Sequence, residues 1–186
     1  LTDFKVEFVG YDQETAESRI IKYREIKEAK RTVYQIVLDK TPFYGESGGQ
    51  VGDTGVLKSD SETLKVLDTQ KENDLIVHFT DKLPSDPSAT FKAEINSNRR
   101  SLIKFNHSAT HLLHAALREI LGNHVQQKGS LVSDAVLRFD FSHFSKVEPE
   151  QIEKIEQIVN ARIRENIQLD EKRSVPIDEA KSLGAM

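Results

Sequence analysis

The chain has 186 residues, a formal net charge of −4, 30% charged and 37% hydrophobic residues, and no cysteine. These values exclude a disulfide framework, a thiolate ligand and a cysteine nucleophile within these residues, and they exclude bulk-charge binding of a polynucleotide, which calls for a basic protein. No apolar run approaches the ~20 residues needed to span a bilayer, and Leu1-Thr2-Asp3-Phe4-Lys5 lacks the basic-then-apolar order of a signal peptide. Absence of cysteine accords with ordinary cytoplasmic usage, and any nucleic-acid partner must meet a local patch or be held by other parts of a larger protein. The one methionine is Met186, so Leu1 is not a translation start as written and the sequence reads as an excised piece.

The first half reads as β structure. Phe4, Val6 and Phe8 alternate with Lys5 and Glu7, the period of a half-buried strand. Further strands are expected over Arg19 to Ile26, Thr32 to Asp39, Asp53 to Ser59, Thr63 to Thr69, Leu75 to Phe79 and Thr90 to Ile95. Several short strands at this spacing predict a small barrel or folded sheet. Between two of them, from Thr41-Pro42-Phe43-Tyr44 to Gly55, five of the nine glycines fall within eleven residues, which marks a cluster of tight turns or bulges. It is no phosphate loop, since no Gly-Lys-Ser/Thr follows. Gly45-Glu46-Ser47-Gly48-Gly49 resembles a serine-protease nucleophile segment, but all six histidines follow Ser47, the wrong order for that triad. A proline-containing loop covers Thr80 to Ser88.

After Ile95 the period changes. Leu102, Phe105, Ala109, Leu112, Leu113, Ala116, Leu117, Ile120 and Leu121 follow helical spacing, and Gly122 supplies a stop. Val136 to Phe141 alternates again, and a second helix begins at Pro149 with Ile152, Ile155, Val159 and Ile163 as its expected buried stripe. A short last helix is expected from about Ile177 to Leu183. The fold class is therefore α+β, with a small β domain over 1–95 and an α+β domain over 96–186.

On the first helix His107, His111 and His114 lie within about 60° of arc, counting ~100° per residue. Imidazoles four residues apart are well placed to grip one divalent ion, but a rigid helix rarely wraps a tetrahedral ion alone, so two ligands are expected here and the rest from elsewhere. His124 and His143 are further candidates. No glutamate follows the first histidine, which argues against a thermolysin-type protease.

Asn106-His107-Ser108-Ala109-Thr110-His111-Leu112, Gln127-Lys128-Gly129-Ser130-Leu131-Val132, Leu137-Arg138-Phe139-Asp140-Phe141-Ser142-His143, the glycine-rich segment and Gly184-Ala185-Met186 follow one another in collinear order. Together they closely resemble the editing domains of bacterial alanyl-tRNA synthetases. The resemblance covers essentially the whole chain. It implies a β-barrel-like first part and a second part similar to the threonyl/alanyl-tRNA synthetase editing domain. It implies zinc, with His107 and His111 as two ligands, and with a cysteine and a histidine of a downstream Cys-Gly-Gly-Thr-His segment, beyond residue 186, as the others. Gln127 matches a glutamine near the bound amino acid, and Gly48, Gly49, Gln50 and Asp53 match the motif facing the metal cleft.

The expected activity is hydrolysis of the ester in mischarged Ser-tRNA(Ala) or Gly-tRNA(Ala), within a larger enzyme that joins alanine to tRNA(Ala) using ATP. No ATP-binding motif occurs in these residues. Gln127, Thr41 and Thr110 are candidates for contacting the serine hydroxyl. Arg99, Arg100, Lys104, Lys128 and Arg138 are candidates for the acceptor-end phosphates, against the plainer reading of a solvated surface. A free-standing deacylase and a non-catalytic tRNA-binding module are the competing hypotheses.

Overall fold

The computed structural model describes residues 6–27, 32–168, 170 and 175–184. Phe4 and Lys5 of the first expected strand, and Ala185 and Met186 of the last motif, lie outside the described residues. In chain order the elements are β1 (Glu7–Phe8), β2 (Thr15–Lys27), β3 (Thr32–Leu38), β4 (Lys40–Thr41), β5 (Gly55–Lys58), β6 (Thr63–Glu72), β7 (Leu75–Thr80), β8 (Thr90–Ile95), α1 (Ser97–Leu121), β9 (Gln127–Val132), β10 (Leu137–Phe141), α2 (Pro149–Arg164) and α3 (Ile177–Ser182). The architecture is α+β.

Among the described residues six strands close into an antiparallel barrel in the order β2-β3-β7-β6-β5-β8. Closure depends on the length of β2. Its first half pairs with β8, from Thr15 opposite Glu94 to Arg19 opposite Thr90. Its second half pairs with β3, from Ile20 opposite Leu38 to Lys27 opposite Thr32. An irregularity between Ile20 and Lys22 falls at the changeover, where a bulge bends the strand from one neighbour to the next. Inward side chains alternate as a half-buried strand requires: in β6, Leu64 and Val66 are buried while Leu67 is exposed. Ile36, Leu38, Phe43, Leu57, Phe91 and Ala93 complete the barrel core.

Several polar side chains are buried in the barrel wall, His78 among them. His78 is fully buried with its ring edge-on to Phe43 at 5.2 Å. Its Nδ1 lies 3.0 Å from the Ile36 carbonyl, which only accepts, so Nδ1 carries the proton. The Thr41 hydroxyl therefore donates to Nε2 at 2.8 Å, and Thr41 Oγ1 accepts from the Phe43 N–H at 3.1 Å. Every polar atom of this pair is satisfied, which is the condition for burying it.

The second layer begins directly where the barrel ends. Asn96 donates its N–H to the Thr54 carbonyl at 2.8 Å, and its side chain caps α1 by accepting from the Arg99 N–H at 3.1 Å. The antiparallel hairpin of β9 and β10 lies along α1, and α2 packs against the far half of α1 around Ala116, Leu117, Val125 and Ile155. Both helices leave part of their apolar spacing uncovered, and the stripe expected on the second is corrected. Leu102 and Phe105 are exposed, because the first half of α1 buries Arg100, Ile103, Thr110 and His114 instead, a face offset from the apolar one. Ile152 and Ile163 are also exposed, since α2 is covered on the side of Ile155, Ile158 and Val159 alone.

Candidate active site

The glycine-rich segment is stitched to the second layer. Val51 donates to the Val132 carbonyl at 3.0 Å, and Val132 donates to the Gly49 carbonyl at 2.7 Å. Gly49 holds φ at 83°, and a Cβ there would collide with Ser130 Oγ and lie 2.6 Å from the Ser130 carbonyl oxygen. Only glycine allows both the left-handed backbone and so close a crossing. The base of the loop is fixed by Arg100. Its guanidinium pairs with the Asp53 carboxylate through Nε, at 3.0 Å to Oδ1, and through Nη2, and it also donates to the carbonyls of Gly10 at 2.7 Å and Pro42 at 3.1 Å. Asp53 in turn accepts from the Tyr44 N–H at 2.7 Å.

This crossing places the loop over one face of α1. Gly48 from the loop, His107, Thr110, His111 and His114 from α1, Gln127 and Ser130 from β9, and Phe139 from β10 surround a cleft of about 50 Å³. The His107 and His111 rings stack with centroids 5.1 Å apart. His107 Nδ1 lies 2.6 Å from Gln50 Oε1, an acceptor, so Nδ1 carries the proton and the Nε2 lone pair is left available. Burial, and then the neighbouring His111, push the His107 imidazole below its ordinary range, which keeps it neutral. Thr110 donates its hydroxyl to the Asn106 carbonyl at 2.8 Å, leaving its oxygen able to accept. Gln127 donates to Ser130 Oγ at 3.1 Å, and Ser130 donates to the Gly48 carbonyl at 3.4 Å. His114 is 9% exposed, rests against Phe139 at 5.1 Å, and its buried Nε2 has no partner.

The sequence of residues 2–99, which holds the barrel and the glycine-rich loop, matches the family described as tRNA synthetases class II (A). This chain belongs to that family. Relatives named alanine--tRNA ligase extend the similarity through α1 and beyond. The Cytophaga hutchinsonii protein is 61% identical over 184 residues, 99% of this chain and 21% of the relative. Those of Bacteroides thetaiotaomicron and Parabacteroides distasonis are each 58% identical over 186 residues, again 21% of the relative. The chain thus spans about a fifth of the length of these synthetases. No helix among the described residues is long and apolar enough to cross a membrane.

In this synthetase segment the candidate residues divide into three groups. His107, His111, Thr110, Gln127 and Gly48 surround one cleft, with Gln50 behind His107 and Gly49 at the loop crossing. Thr41, Asp53 and Arg100 fall outside the lining of this cleft: Thr41 is sealed in the barrel wall by His78, and Asp53 and Arg100 neutralise each other under the loop. Arg99 is engaged by Asp134 at 3.1 Å and by the Gly52 carbonyl at 2.7 Å, and Arg138 by Asp140 at 3.2 Å. Lys104 and Lys128 are exposed. His124 and His143 meet each other at 2.9 Å, outside the cleft lining. Ser130, Phe139 and His114 also line the cleft. The first two lie inside segments that carry the family resemblance, but neither residue has a spacing of its own that assigns it a role from sequence.

Proposed function

We propose that this chain is the ester-hydrolysing, editing part of an alanine--tRNA ligase acting in the cytoplasm, which releases serine or glycine from mischarged tRNA(Ala) while the rest of the protein aminoacylates tRNA with ATP. The observation that carries the reading is the convergence of His107, His111, Thr110 and Gln127 on one small cleft. A pocket built for alanine cannot strongly reject serine or glycine, differences worth only ~1–3 kcal/mol, so a second selection step is needed. A cleft of about 50 Å³ holds little more than one small side chain. Thr110 Oγ1, already donating to its own helix, has lone pairs for the serine hydroxyl, and the Gln127 amide reaches the same space. Hydrolysis then requires a water to add to the ester carbonyl and the ribose hydroxyl to leave with a proton. The likeness of the helix-and-hairpin layer to threonyl/alanyl editing domains belongs to the same reading.

The fit of the residues to zinc is tested by the imidazoles. Gln50 fixes the His107 tautomer with Nε2 unprotonated, as an outer partner does for a ligating histidine, and His111 lies one turn on. A tetrahedral site takes four ligands, and among the described residues no group of three or more suitable side chains gathers. His107 and His111 would supply half of the set, the remainder coming from elsewhere in the synthetase. A bound zinc ion would lower the pKa of a water towards ~7 or orient the ester.

The deciding experiment is deacylation of Ser-tRNA(Ala) by the whole synthetase carrying His107→Ala and His111→Ala. Loss of proofreading with aminoacylation intact is expected. Undiminished proofreading would end this reading.

A further inference from the structure

Helix α1 carries two chemically different faces. Counting ~100° per residue, the cleft residues Thr110, His114, His107 and His111 lie within about 100° of arc. A second set, Leu102, Phe105, Ala109, Leu112 and Ala116, is centred about half a turn away, on the opposite side of the helix. These apolar residues follow one another alternately three and four positions apart. That spacing makes the line along which a second helix packs, the side chains of one entering the gaps of the other.

Within the described residues only part of the line is used. Ala116 is 1% exposed and belongs to the cluster that α2 forms with Leu117, Val125 and Ile155. Nearer the start of the helix, Leu102 is 49% and Phe105 68% exposed, and neither joins a buried cluster. α2 has 16 residues against the 25 of α1, too few to run its full length.

The margins of the uncovered stretch suit a helix. On one side Ser101, Ser108 and Ala115 repeat every seventh residue and are exposed. Only small side chains therefore stand between α1 and a neighbour, as an axial separation of about 8 Å requires. On the other side Arg99 bonds the Asp134 carboxylate at 3.1 Å and Asn106 the Ser133 carbonyl at 2.8 Å. Both hold in place a loop that leads to Val136, itself exposed. The stretch is an apolar strip bordered by a fixed loop.

The size of the strip selects its occupant. Leu102 and Phe105 offer on the order of 300 Å² of apolar surface between them, whereas stable association of separate chains buries roughly 1,200–2,000 Å². So small a strip does not hold a free partner or a second copy of this chain. It does hold a segment of the same polypeptide, because tethering raises the local concentration to roughly the millimolar range. Most of that polypeptide lies outside these residues, which cover 21% of the alanine--tRNA ligases they match. We propose that the strip at Leu102 and Phe105 seats an amphipathic helix from the rest of the same synthetase polypeptide, packed along α1 on the line that α2 occupies further on. The docked helix bears on the side of α1 turned away from His107 and His111 and leaves the cleft open.

The test uses the whole synthetase with no RNA present. With Phe105 replaced by the photo-reactive p-benzoylphenylalanine, cross-links mapped by mass spectrometry are expected to one segment outside residues 1–186 of the same chain, in equal yield at high and low protein concentration. The captured segment should itself carry apolar residues at 3-4 spacing. Carbene footprinting should label Leu102 weakly in the wild type, several-fold more in Phe105→Glu, and no more in Phe105→Leu, which keeps an apolar side chain. Cross-links confined to residues 1–186, cross-links to a second copy that fade on dilution, or a captured segment without that spacing would each overturn the docking site. So would strong Leu102 labelling that Phe105→Glu leaves unchanged.

Discussion

A buried guanidinium is tolerated only where its charge and its donors are all met, and Arg100 meets that condition through Asp53, Gly10 and Pro42. Removing one partner would strand the other charge, so Arg100→Ala should destabilise the fold by roughly 3–5 kcal/mol in urea denaturation. The double variant Arg100→Met with Asp53→Leu should recover much of that loss, though not all, because Asp53 also accepts from the Tyr44 N–H. His114 presents the opposite case. Its buried Nε2 bonds nothing, so replacing it with an apolar side chain of similar bulk removes an unmet polar atom and no hydrogen bond. His114→Leu should leave stability unchanged or raise it by up to about 1 kcal/mol. If the free nitrogen serves the ester cleft that it lines, Ser-tRNA(Ala) hydrolysis should fall in the same variant. Measuring thermal stability and hydrolysis together separates a packing role from a binding one.

At the level of elements, the site exists because a glycine-rich loop of the barrel crosses β9. Gly48 and Gly49 both hold positive φ, yet they differ in surroundings: a Cβ on Gly48 meets open space, and one on Gly49 meets the backbone of Ser130. Gly48→Ala should therefore cost only the left-handed backbone penalty, on the order of 1 kcal/mol. Gly49→Ala should cost clearly more and weaken hydrolysis by pushing β9 and Gln127 away from α1, as denaturation and deacylation assays would show. This crossing was also the least legible part of the sequence. The barrel strands announced themselves through strand-forming residues, as in Tyr34-Gln35-Ile36-Val37-Leu38, and Gly122 ends α1 with its N–H on the Arg118 carbonyl at 3.0 Å. Gln127-Lys128-Gly129-Ser130 has no apolar alternation, so nothing local marks β9; it is held as a strand by β10 and by the loop. For the same reason the apolar spacing of Leu102 and Phe105 does not mark the face of α1 that packs against the barrel loop. The face that packs is polar, and its partners, Asp53 and Gln50, are distant in sequence. Histidine spacing was readable without the fold, because i, i+4 geometry belongs to the helix itself.

Across the whole molecule, barrel and cleft respond to acid in the same direction. Burial lowers His78 from 6.5 to about 4, with the bond to the Ile36 carbonyl opposing only part of that effect. The unfolded chain takes up a proton at this imidazole near pH 6.5 while the folded chain refuses it until about pH 4. The stability that His78 contributes as a neutral group is thus complete above pH 6.5 and falls away as the pH drops towards 4, by at most roughly 3 kcal/mol. His107, whose imidazole is also held below its ordinary range, adds to the loss in the same sense. Glu62, Asp86 and Glu94 are lowered by their hydrogen bonds to Lys82, Ser88 and Lys58, so their contributions are also lost on acidification, below the ordinary carboxylate range. Urea unfolding at pH 7 and pH 5 isolates the histidines, since the carboxylates remain largely ionised over that interval. Wild type should lose stability between the two, and His78→Gln should lose less while starting from a lower value, because its amide meets the Thr41 hydroxyl in a poorer geometry. Equal pH dependence in the two proteins would remove His78 as the source. Because β4 carries Thr41 into the glycine-rich segment, acid loosening of this pair should reach the cleft before the barrel unfolds, and hydrolysis should decline ahead of the loss of secondary structure.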